Sequence, residues 1–233
     1  MSRMSKVWDS LIKLKDEYID LFESVGEEYE EDGLGRFNHS DGSWVNRVWR
    51  SPDFRRAHVD VVDAREERGL WMMHVCIFPH LDSNAPIYGF DVIAGKNKMT
   101  GAFHDFSPTT ESNHPMIEHF AKRVSKLQWK RERKLPDWAN AIFTESMMAA
   151  GNVNSEEEIE QVRNIALENA QYFLSEVGKY GVNQHIQLGK DAQNRYAYYQ
   201  KQNPHTPRVM KTLGLDPDDV DTFVEKCLFP DLT

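Results

Sequence analysis

In "RRAHVDVVDAREERGLWMMHVCIFP", Arg55 to Pro79, two runs rich in Val, Met, Ile and Trp are separated by only five residues, "REERG". Runs of this composition read as strands. A connection this short joins antiparallel neighbours, because a parallel pair needs a crossover of about a dozen residues or more. The pattern continues outward on both sides. "SWVNRVWR" (Ser43 to Arg50) precedes it, and "IYGFDVIAG" (Ile87 to Gly95) and "KMTGAFHDF" (Lys98 to Phe106) follow, joined by "SPD", "HLDSNAP" and "KNK". Five consecutive strands with such short turns form an antiparallel meander.

The flanks change period. From Lys6 to about Glu23, Val7, Leu11, Leu14, Tyr18, Leu21 and Phe22 recur at three and four residues, the mark of an amphipathic helix. "EEYEEDGLG" then reads as a loop. After Ser107 and Pro108 a helix is expected from Pro115 to about Gln128, and another from the capping-box pattern "SEEE" at Ser155 to Gly178. "GKDAQNRYAYYQKQN" and "DPDDVDTFVEKCLF" are helical as well, the second starting at Asp216 with Pro217 in its first position. Helices on both sides of a central sheet give an α/β/α sandwich, expected as a single domain over residues 1–233.

Bulk properties narrow the function. No apolar run approaches the roughly 20 residues of a membrane helix, and "MSRMSKVWDS" lacks the apolar core of a signal peptide, so a soluble cytoplasmic protein is expected. Cys76 and Cys227 are not spaced for zinc or a redox pair. A formal charge of −9 argues against nucleic acid as the main partner. Against that average, "KRVSKLQWKRERK" (Lys122 to Lys134) holds seven basic residues and one acid. It is either the solvated face of a helix or a docking patch for an acidic partner.

Asp105 is the residue that asks for an explanation, because it sits between Phe103 and Phe106 in a strand. Burying an unpaired carboxylate is costly enough that the group takes up a proton instead, and such an acid can do chemistry near neutral pH. Alternation puts Gly101, Phe103 and Asp105 on one face and Ala102, His104 and Phe106 on the other. His74, Tyr88 and Asp91 add polar groups to the same sheet. Structural readings stand beside these: a strand His is commonly a hydrogen-bonded core residue, and Asp105 precedes the turn "FSPTT". Asp91 is read as structural. A metal site from His74, His104 and Asp105 is disfavoured, since the last two point to opposite faces. No glycine-rich phosphate loop and no "GxSxG" is present.

"HVCIFPHLDSNAPIYGFDVIAG" (His74 to Gly95), "TGAFHDFSPT", "VWRSPDFRRAHVDVVDA" (Val48 to Ala64), "KQNPHTPRVMKTLG" and the final "CLFPDL" together resemble the ferredoxin-dependent bilin reductases, most of all their phycocyanobilin-forming branch. The resemblance covers nearly all the chain beyond the first forty residues or so. It implies an α/β/α sandwich with a central antiparallel sheet that binds biliverdin IXα between sheet and C-terminal helices. It also implies no bound flavin or metal, and electrons delivered singly by a [2Fe-2S] ferredoxin. Asp105 is then the catalytic proton donor, and His74, Tyr88, Phe103, Asn203, Thr206 and Arg208 contact the substrate, Arg208 as a candidate for a propionate. Ferredoxins are acidic, which favours docking at Lys122, Arg123, Lys126, Lys130 and Arg131. A monomer is expected.

Departures from the family pattern bear on the product. The histidine that partners the aspartate in the phycocyanobilin-forming branch is replaced, by motif alignment, with Tyr88. Cys76 stands where a nearby glutamate is usual, while His74 is kept. Other branches place a second aspartate before the "PR" pair, where this chain has Thr206. Loss of the partner acid predicts phycoerythrobilin, formed through 15,16-dihydrobiliverdin, with phycocyanobilin as the alternative product. A non-catalytic bilin carrier and an interaction domain for an acidic protein are the alternatives of other classes.

Overall fold

The computed structural model describes residues 5–111, 113–180, 185–212 and 215–233. Leu213 and Gly214 of the quoted C-terminal motif, and the first four residues, lie outside them.

Ser5 caps the first helix, α1 (Lys6–Val25), by accepting the Trp8 amide, and the chain then enters a short strand, β1 (Glu27–Tyr29). The meander follows as β2 (Trp44–Arg50), β3 (Arg56–Ala64), one helical turn α2 (Arg65–Arg68), β4 (Leu70–Phe78), β5 (Ile87–Gly95) and β6 (Lys98–Ser107). Helix α3 (Pro115–Val124) leads through a short 3-10 turn at Asp137–Ala141 to β7 (Met148–Val153). The chain ends in α4 (Glu156–Glu176), α5 (Ile186–Gln200), α6 (His205–Thr212) and α7 (Pro217–Thr222), the last continuing into a wider π-type turn at Phe223–Leu228. The seven strands form one antiparallel sheet in chain order. The expected sandwich and the five central strands are therefore present.

Sequence reading missed the two edge strands. The "EEY" of β1 carries no strand signal because acidic residues are poor strand formers in isolation; it pairs with β2, where Arg47 and Arg50 meet Glu28 and Glu27. The "MAAGNV" of β7 lacks strand-forming side chains, yet its backbone is held from both sides. Its inner edge pairs with β6, and on its outer edge the Gly151 amide donates to Arg131 O and the Arg133 amide to Ala149 O, both at 2.8 Å. The basic segment is thus not one helix: α3 stops at Val124, and residues 131–133 run along β7.

Alternation along the strands builds two cores. On one face Leu11, Leu14, Tyr18 and Phe22 of α1, Phe120 of α3 and Val162 and Phe173 of α4 cover Trp49, Val59, Val75, Phe90 and Phe106. On the other, Tyr196 of α5, Met210 of α6 and Val220 of α7 pack with Phe223 and Phe229 over Trp44, Met72, Cys76 and Phe78. Ser155 caps α4 as expected, accepting the Glu158 amide at 3.3 Å, and Asp216 caps α7.

Candidate active site in the cleft between sheet and C-terminal helices

Strand register assembles the site from side chains that are distant in sequence. Two adjacent rows cross the sheet on the face covered by α5 to α7. One runs Asn46, Asp60, His74, Asp91, Phe103, and the next runs His58, Cys76, Gly89, Asp105. Above the first row lies a cavity of about 80 Å³, closed by Gln200, Asn203, Thr206 and Phe229.

Asp105 is 1% exposed and belongs to the second row. Its carboxyl is clamped by Thr144, whose backbone N–H donates to Oδ2 at 3.0 Å and whose hydroxyl donates to Oδ1 at 2.5 Å; Ser107 Oγ donates to Oδ2 at 3.0 Å. Burial raises its pKa, and the bonds from Thr144 and Ser107, which favour the charged form, pull it back, leaving it at about 6. The acid expected in a dry strand is there, poised just below neutrality.

His74 lines the cavity and is almost fully buried. Its Nδ1 donates to Asp91 Oδ1 at 2.7 Å, while its Nε2 is buried without a partner. Burial disfavours the imidazolium, but Asp91 and Cys76 outweigh it and hold the pKa well above the usual value. Asp91, read from sequence as structural, is the counter-ion that keeps His74 protonated. Gly89 sits opposite Asp105, where a Cβ would lie 3.0 Å from the Tyr196 hydroxyl, a tight contact that only a small shift of Tyr196 would relieve. That hydroxyl accepts from Gln200 Nε2 at 2.8 Å and stands 3.6 Å from Cys76 Sγ.

Of the expected substrate contacts, His74, Phe103, Asn203 and Thr206 line the cavity, while Asp105 lies in the row beside it and is not part of its lining. The structure does not bring Tyr88 to the cavity. Residue 88 is out of phase with Gly89 and Asp91, so its side chain enters the opposite core, where it meets Tyr18 Oη at 2.5 Å and donates to Ala166 O at 2.8 Å. The position beside Asp105 is Gly89. Arg208 is exposed on α6 and does not line the cavity. His104 also faces away, its Nδ1 donating to Gly89 O at 2.6 Å and its Nε2 accepting from Asn169, and burial lowers its pKa to about 4. Among the described residues no three His, Cys, Asp or Glu are placed to hold a metal ion, and no helix is long and apolar enough to cross a membrane.

Lys122, Lys126, Lys130 and Arg131 are exposed on the α3 and α4 side of the sheet, away from the cavity. Two of the five candidate cations are partly neutralised: Arg123 pairs with Glu168, and Lys130 Nζ lies 3.7 Å from Glu158. Sequence reasoning missed Asp60, Thr144, Tyr196 and Gln200. For Asp60 a signal existed, since His58 and Asp60 alternate in "HVD" as His74 and Cys76 do in "HVC". Thr144 carried no signal, because its contact with Asp105 spans 39 residues and a loop.

The sequence model of the family described as "Ferredoxin-dependent bilin reductase" matches residues 34–230. Two curated relatives are phycocyanobilin:ferredoxin oxidoreductases. One, from a Synechococcus species, is 27% identical over 191 residues, covering 79% of this chain and 74% of its own. The other, from Prochlorococcus marinus, is 25% identical over 188 residues, covering 79% and 76%. Among solved structures, that of PcyX is 37% identical with a TM-score of 0.74, covering 96% of this chain and 99% of its own. Phytochromobilin synthase from tomato, in complex with biliverdin, has the same fold at 15% identity, with a TM-score of 0.73 over 95% of this chain and 82% of its own.

Proposed function

The chain belongs to the ferredoxin-dependent bilin reductase family and is a ferredoxin-dependent bilin oxidoreductase, and on that premise we propose that it reduces biliverdin IXα by four electrons to phycoerythrobilin through 15,16-dihydrobiliverdin. In this reading it works as one domain and as a cytoplasmic monomer. A [2Fe-2S] ferredoxin supplies single electrons, with no resident flavin or metal, and docks on the basic surface of α3 and the chain beside β7.

One observation carries the reading: Asp105 is buried on the cavity face of the sheet with its pKa raised to about 6. When a flat, largely apolar ring system displaces the remaining water, the charged carboxylate is disfavoured further, and an electron added to the bilin raises the basicity of its carbons. Both changes drive the Asp105 proton onto the substrate. Free space of about 80 Å³ is well under the roughly 300–1,000 Å³ of small-molecule sites. Binding therefore requires the cleft between the sheet and the C-terminal helices to widen. His74, protonated and with a free N–H at Nε2, is placed to donate to a lactam oxygen.

The product assignment rests on the row of Asp105. The next two positions along that row are Gly89 on β5 and Cys76 on β4, so neither supplies a carboxyl or an imidazole, and Thr206 has only a hydroxyl. A second reading, phycocyanobilin, is favoured by the names of the two curated relatives. Incubation with biliverdin and a ferredoxin-reducing system, followed by chromatography of the products, separates them. Phycoerythrobilin is expected; phycocyanobilin as the product overturns the assignment.

A further inference from the structure

A second carboxyl on the cavity face is nearly as deeply buried as Asp105. Asp60, on β3, is 3% exposed and lines the cavity directly. Its Oδ1 accepts the Trp44 indole N–H at 3.0 Å, and no other side-chain hydrogen bond to Asp60 is present among the described residues. One oxygen is thus anchored, and the other is left to carry a proton. Holding Trp44 needs only an acceptor, which an amide provides without burying a titratable acid.

Position matters more than burial. Asp60 pairs across strands with His74, whose Nε2 is buried and unpartnered, and it shares the row of Asp91 and Phe103. From β3 to β6 is three strand spacings at about 4.8 Å each, and Asp105 lies two residues, about 7 Å, further along its strand than the row of Asp60, so the two acids stand roughly 16 Å apart across the sheet. A linear tetrapyrrole lying on this face has different pyrrole rings over the two acids. Building on the bilin reductase reading, we propose that Asp60 is the second proton donor, serving the end of the bilin remote from Asp105. Burial, opposed by His74 and the Trp44 bond and reinforced by Asp91, raises its pKa to about 7, which suits a donor at neutral pH.

The step balances. An electron from reduced ferredoxin converts the bound bilin to a radical anion. The Asp60 O–H bond then breaks as a C–H bond forms on the bilin, leaving a carboxylate. Solvent reprotonates Asp60 through the cleft, and a second ferredoxin electron with the proton thus restored to Asp60 completes a two-electron, two-proton reduction.

The test compares wild type, D60N, D60E and D105N for biliverdin binding, thermal melting and product distribution with reduced ferredoxin. D60N keeps the acceptor for Trp44, so it is expected to melt and bind biliverdin like wild type, accumulate a two-electron-reduced bilin, and lose at least about 100-fold in formation of the final product. D60E is expected to recover part of that second step, and D105N to stop before it. Complete turnover by D60N within about threefold of wild type overturns the proposal. So does loss of folding or bilin binding in D60N that D60E repairs, since that marks a structural acid. A wild-type chain that leaves biliverdin unreduced instead sinks the bilin reductase reading, and this proposal with it.

Discussion

Asp105 owes its behaviour to a contest between burial, which favours the neutral acid, and three side-chain and loop donors, which favour the anion. In the proposed mechanism the protonated form acts, so activity should fall as pH rises through the pKa of Asp105. Thr144→Val deletes the hydroxyl that donates to the anion while keeping the backbone N–H. A bond to a charged group is worth about 1.5–3 kcal/mol, and about 1.4 kcal/mol corresponds to one pH unit. The alkaline fall of the pH–rate profile should move up by about one unit, and an unmoved profile would show that Thr144 does not tune the acid. Asp105→Asn should bind biliverdin with near-native affinity and lose turnover by at least about 100-fold, leaving a long-lived bilin radical detectable by electron paramagnetic resonance. Undiminished turnover would remove Asp105 from the mechanism. The acid itself was legible in sequence as a charge between two phenylalanines. Its clamp was not, because a loop residue reaches a strand only through tertiary folding.

Elements explain why Tyr88 does not line the cavity. It is the point where β5 is tied to α1, through Tyr18, and to α4, through the Ala166 carbonyl. Tyr88→Phe removes both bonds from a buried site and should cost about 1–2 kcal/mol of stability, read as a lower midpoint in urea, with product distribution unchanged. An altered product with unchanged stability would return Tyr88 to the site. The basic segment is likewise an element-level question. Lys122 and Lys126 are exposed on and just after α3 and lie in no ion pair among the described residues, whereas Arg123 and Lys130 have acidic neighbours on α4. The double variant Lys122→Glu, Lys126→Glu should raise the apparent KM for ferredoxin about tenfold at low ionic strength with little change in kcat, and the difference should shrink as salt screens it. An unchanged KM would move docking to another face.

At the scale of the molecule, the two buried acids make stability depend on pH. In the native protein Asp105 titrates near 6 and Asp60 near 7, whereas their ordinary value is 3.8. Between those values the native state holds protons that the unfolded chain has released. Their contribution to stability is therefore complete below pH about 4 and is lost as pH rises through 6 and 7. His104 acts oppositely: its native pKa near 4 lies below the ordinary 6.5, so its contribution is present above pH 6.5 and lost as pH falls towards 4. The difference in unfolding free energy between wild type and the double variant D60N, D105N isolates the acids, and it should shift against wild type from pH 4 to pH 7.5. A flat difference would mean that neither acid is protonated in the fold.

Sequence by itself determined the meander, the flanking helices and their caps, and the carboxyl of Asp105, because these depend on local composition, on period and on connections a few residues long. It also carried the family, through motifs spread along most of the chain. Tertiary structure alone decided which side chains share a row: register set Gly89, rather than Tyr88, beside Asp105, aligned Asp60 with His74, and let Thr144 close on the acid. A one-residue change of phase sends a side chain to the other face of a sheet, and only the hydrogen-bonded pairing of strands fixes that phase.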